Sequence, residues 1–166
     1  MNTGLLNELN STESELIKAL EIFDDSNINT VPFEGSWTGG QVAEHILKSL
    51  SFVAETVSGQ AKSTERNPEE HIKQLSDIFL NMDIKMKSPD FIIPTNEPKN
   101  KEALTLSLKK KLDAIKEVAE TKDLSETCTL FEMPGLGPLT RVEFISFAIF
   151  HTKRHTNQLN TILKHL

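Results

Sequence analysis

Cysteine occurs once in these 166 residues, as Cys128, so no internal disulfide can form. Nothing near Cys128 in sequence lowers a thiol pKa, and a lone cysteine needs spatial partners before it acts as a nucleophile. Long apolar runs are also missing: no stretch approaches the roughly 20 residues that cross a bilayer as a helix. The opening Met1-Asn2-Thr3-Gly4-Leu5 lacks the basic region and apolar core of a signal peptide. An excess of basic charge is absent as well. The net charge is −6, which argues against a general binder of nucleic acid or anionic membrane. Lys109-Lys110-Lys111 is the only basic cluster, and Leu108 and Leu112 flank it, as on the solvated face of an amphipathic helix. The expected setting is the cytoplasm.

What remains is an ordinary globular composition, 37% apolar and 25% charged, and a length that suits one domain over 1–166. Convincing strand patterns are lacking, whereas four long helical patterns are present. The first spans about Asn2 to Asp25, with Leu5, Leu9, Leu16, Leu20 and Phe23 near a helical period and Asn10-Ser11-Thr12 as the place for a break. The second starts at Thr38, where Thr38 and Gln41 match a capping box, and ends near Gly59. Trp37 sits just before that cap, placed as a staple residue. The third runs from about Lys101 to Thr121. A second capping box, Thr140 with Glu143, opens the last helix.

Between them, Pro68 to about Met82 reads as a shorter amphipathic segment. Lys87 to Lys99 carries Pro89, Pro94 and Pro98 and is expected to be an extended loop, and Met133 to Pro138 a rigid turn. The expected fold is all-α: a four-helix bundle with a short additional helix and long connecting loops.

His151 and His155 lie four residues apart, one turn apart on one face of the last helix. Two neutral imidazoles so placed can grip one metal ion, though Thr152 stands where a helical zinc protease would carry its glutamate. Five histidines placed at random give such a pair in roughly one chain in eight, so position has to decide. Phe144, Phe147, His151, His155, Gln158 and Ile162 continue one helical stripe, which turns both histidines toward the interior. A third ligand is then needed. His45, between Val42 and Ser49 on the inner side of the second helix, is the candidate, ahead of His71 and His165. Gln158 shares the stripe and can orient a ligand or hold a water. Glu44 points about 100° away from His45 around the helix and is not assigned as an acid or base.

Taken in order, Trp37-Thr38, Glu44-His45, Gly137-Pro138-Leu139-Thr140 and His151-x-x-x-His155-x-x-Gln158 resemble the DinB-like (DinB/YfiT) superfamily of small metal-binding bundles. The resemblance covers most of the chain. It implies that His45, His151 and His155 bind a divalent ion, commonly zinc or nickel. It also implies a metal-dependent enzyme with a small-molecule substrate, either a transferase of low-molecular-weight thiols such as bacillithiol or mycothiol, or a hydrolase. Dimerisation is common among such proteins. Three histidines leave a coordination position open, the pattern of catalytic rather than structural zinc. The absence of an identifiable general base keeps a non-catalytic binding or interaction bundle as the alternative.

Overall fold

The computed structural model describes residues 2–166; Met1, which opens the Met1–Leu5 stretch, lies outside them. Five helices carry the fold: α1 (Thr3–Ile22), α2 (Gly39–Ser58), α3 (Ile72–Phe79), α4 (Lys101–Thr121) and α5 (Arg141–Leu163). The long four form the bundle, and α3 is the short additional helix. Both capping boxes form. The Thr38 and Thr140 hydroxyls accept from the backbone N–H of Gln41 and Glu143, whose side chains reach back to the cap N–H. None of the helices among the described residues is long and apolar enough to cross a membrane.

The order in which the helices touch sets the site. α4 and α5 both pack against α1 and both pack against α2, so α1 and α2 face each other diagonally across the core. Lys101 Nζ at the start of α4 donates to the Phe23 carbonyl beyond the end of α1, so those two run antiparallel. Arg141 Nε at the start of α5 donates to the Val57 carbonyl near the end of α2, with the same consequence. Gly40, in the first turn of α2, lies against Lys99 just before α4, so α2 and α4 run the same way. Parallel neighbours need a long crossover. Here residues 59–100 supply it, carrying α3 and then a strap that returns along the bundle. Leu9, Leu16, Ile46, Leu50, Leu108 and Phe144 are among the fully buried side chains that close the core.

Four details differ from what the sequence suggests. α1 is unbroken through Asn10-Ser11-Thr12 because Thr12 is buried on the Leu9–Leu16 face while Asn10 and Ser11 are exposed. The Pro68–Met82 segment is helical only over Ile72–Phe79. Lys87–Lys99 is extended except for one 3-10 turn at Asp90–Ile92. Two-residue strands β1 (Ala61–Lys62) and β2 (Thr127–Cys128) pair antiparallel and tie the end of α2 to the α4–α5 connection. The Met133–Pro138 turn forms as expected, with Gly135 and Gly137 at φ of 82° and 75°, values that side chains rarely adopt.

Candidate metal centre

α2 and α5, held antiparallel by Arg141, bring His45 level with His151 and His155. The Nε2 atoms of the three rings form a triangle, 3.0 Å between His45 and His155 and 3.2 Å on the other two sides. His45 is fully buried, His151 nearly so, and His155 is partly open. The Trp37 ring lies 5.1 Å from the His45 ring and closes that side.

The hydrogen bonds around the rings fix where the protons are. His45 Nδ1 is 2.8 Å from the Ile92 carbonyl oxygen, which can only accept, so Nδ1 carries the proton. His155 Nδ1 is 2.7 Å from Gln158 Oε1 and donates to it in the same way. Both Nε2 atoms are therefore bare lone pairs pointing at each other. Protonation does not relieve this. Burial pushes all three pKa values down, for His155 to about 3, and the neighbouring histidines and Arg154 push those of His151 and His155 the same way. Converging neutral imidazole lone pairs at this spacing fit a cation. Tetrahedral zinc bonds of about 2.0–2.1 Å hold their nitrogens about 3.3–3.4 Å apart, close to the triangle found here.

Comparison with known proteins gives the family and the fold. A family model described as the DinB superfamily matches residues 8–159, a span that takes in all three histidines. The chain belongs to the DinB superfamily. Among solved structures, this DinB-superfamily chain is similar to YfiT from Bacillus subtilis, described as a probable metal-dependent hydrolase with an unusual four-helix bundle topology. Identity is 15%, coverage 97% of this chain and 85% of that one, and the TM-score is 0.57. That likeness shows the fold. No curated protein matches the chain.

A pocket of about 210 Å³ opens onto His151 and His155, walled by Phe79, Phe147, Met86 and Met133. A larger cleft of about 740 Å³ adjoins it and shares Phe52, Phe91 and Pro134, but none of the three histidines lines it. The smaller pocket is the one that reaches the histidines. Arg154 also lines it, and this residue was not singled out by sequence. Its guanidinium donates to the carbonyls of Phe79, Asn81 and Ile84, holding the strap against α5. The signal was available, since Arg154 falls on the Phe147–His151–Gln158 stripe.

The other sequence candidates lie elsewhere in this DinB-superfamily bundle. The His71 and His165 rings are not in the triangle; His165 packs edge-on against Phe33, and the His71 backbone N–H donates to Glu143. Cys128 is buried, and burial pushes its thiol up to about 11, which makes it inert. Glu44, unassigned by sequence, anchors the strap by accepting from the Thr95 N–H at 2.7 Å and pairing with Lys99.

Proposed function

We propose that the protein is a metal-dependent enzyme that holds a divalent ion, zinc or nickel, on His45, His151 and His155 and acts on a small molecule. One observation carries this reading: the Nε2 lone pairs of His45 and His155 face each other with no proton between them, and His151 Nε2 converges on both at 3.2 Å. Such an ion supplies Lewis acidity at an open position, where a coordinated water or thiol becomes acidic. The protein's own groups orient and seal the site. Ile92 and Gln158 hold two rings in the tautomer that presents Nε2, and Trp37 packs beside His45 to limit water.

The hydrolase and the low-molecular-weight thiol transferase readings differ in their need for a protein base. No Asp or Glu lines the pocket, which favours the thiol reaction, because the ion acidifies both groups but a thiol starts from a much lower pKa than water and asks less of a base. The description of YfiT as a probable metal-dependent hydrolase supports the other. The same absence of a base supports a second reading, a bundle that binds a small molecule without turning it over. A screen of thiols against electrophiles separates these, since turnover excludes the second reading. A cytoplasmic setting and a homodimer belong to the leading reading, and light scattering on the purified protein tests the dimer.

The deciding experiment is elemental analysis of untagged protein beside His151→Ala. About one divalent ion per chain, lost in the variant, is the expected result. Neither protein taking up metal after incubation with zinc or nickel overturns the proposal.

A further inference from the structure

We propose that the pocket over the histidines selects small monoanions with an apolar body, the head held toward Arg154 and Lys87 and the body laid across Phe52 and Phe91. The proposal rests on this pocket being the substrate site, as read above.

The charge distribution points there. The chain has 24 acidic and 18 basic residues, yet the pocket lining contains Lys87 and Arg154 and no carboxylate. Arg66 pairs with Glu143 and Arg141 with Glu126, whereas Arg154 has no acidic partner among the described residues. The carbonyls that hold Arg154 fix its position and leave its charge uncompensated. That charge therefore acts on whatever occupies the pocket. The walls are aromatic and thioether, with Phe79 edge-on to Phe147 at 4.9 Å, and offer an apolar body a dry surface.

The other end is different. Phe52 bridges the pocket and the larger cleft, and its ring packs 5.2 Å from both Phe91 and Phe131. Beyond this aromatic floor the cleft is lined by Glu55 and Glu132, neither in an ion pair among the described residues. Lys48, the only cation of the cleft lining, donates to the Ile93 carbonyl, and with Glu44 paired to Lys99 the two free carboxylates still outnumber it. A ligand charged at both ends thus meets carboxylates with its second anion. Like charges facing each other are excluded, so the pair of cavities favours one negative charge and places it inward.

The test uses ligands of one body and different heads: phenylbutyrate, phenylbutanol and phenylbutylamine, with phenylene dipropionate as the dianion. Binding is measured by calorimetry on both metal-free and zinc-treated protein. The expected order is phenylbutyrate tightest, the amine weaker by about tenfold or more, and the dianion weaker than the monoanion. Lys87 is exposed, so Lys87→Glu leaves the fold intact and is expected to erase most of the preference for the acid. Glu55→Gln with Glu132→Gln is expected to restore the dianion. Equal binding of amine and acid, or no binding of phenylbutyrate to either form, overturns the proposal. Failure of the metal reading appears separately, as absence of zinc uptake, and leaves the order in metal-free protein to decide this one.

Discussion

Gln158→Leu is the most informative single change at the metal centre. It removes the acceptor that His155 Nδ1–H finds at 2.7 Å and leaves the three candidate ligands in place. The ring then has two options. It keeps its proton on Nδ1, leaving a largely buried donor unpaired at a cost of about 1–3 kcal/mol. Otherwise it moves the proton to Nε2, which points it into the triangle and removes a lone pair from the ligand set. Either way the ion is held less well. Loss of such a supporting partner costs about 10–100-fold in metal affinity, equivalent to about 1.4–2.8 kcal/mol. The assay is zinc competition against a chromogenic chelator at neutral pH, with urea unfolding of the metal-free protein alongside. Gln158→Glu keeps an acceptor at that place and is expected to hold zinc at least as well as the parent. A Gln158→Leu affinity within about threefold of the parent would refute the tautomer argument. So would an equal loss in Gln158→Glu.

Three further outcomes are expected. Burial works to raise the Glu143 carboxyl pKa, but Arg66 and the N–H groups of Thr140 and His71 outweigh it and hold it below its usual 4.5. Its stabilisation is therefore full above about pH 4.5 and is lost as pH falls through the lower folded value. Glu143→Gln, followed by urea unfolding from pH 7 to 3, should cost about 1–3 kcal/mol at neutral pH and flatten the acid decline. A Cβ on Gly39 falls 2.5 Å from the Phe23 ring, so Gly39→Ala is expected to destabilise by about 1–3 kcal/mol in the same assay, despite alanine's better helix propensity. Cys128 should resist iodoacetamide at pH 8 in the native protein and label fully in denaturant, as read by intact mass; rapid native labelling contradicts its burial.

The local signals were the legible ones. Thr38 with Gln41 and Thr140 with Glu143 mark helix starts because the capping box is closed within four residues. The stripe through Phe147, His151 and Gln158 faces inward because helical periodicity is itself local. Asn10-Ser11-Thr12 suggested a break because polar residues interrupt a stripe, whereas burial of Thr12 between α1 and its neighbours kept the helix whole. Nothing in sequence marks Ile92 as the residue whose carbonyl orients His45, since that contact joins residues 47 positions apart through a backbone atom. The Ala61–Lys62 and Thr127–Cys128 pairing was equally hidden, because two residues leave no alternation to read. Arg66 escaped notice because its partner Glu143 is 77 residues away and had already been accounted for as a cap.

The strap between α3 and α4 is gripped almost entirely by its main chain. Arg154 takes the carbonyls of Asn81 and Ile84, His45 that of Ile92, Lys48 that of Ile93 and Gln41 that of Thr95, while Glu44 takes the Thr95 N–H. These grips recognise a path and are indifferent to which side chains travel along it. Met86, Ser88 and Phe91, which face the pocket from the strap, can therefore be exchanged while the path, and with it the orientation of His45, is kept. The histidines and Arg154 thus stay fixed on the helices while part of the pocket wall is carried by a strap whose side chains are free to vary. The wall of the pocket can therefore drift in sequence while the histidine triangle keeps its geometry.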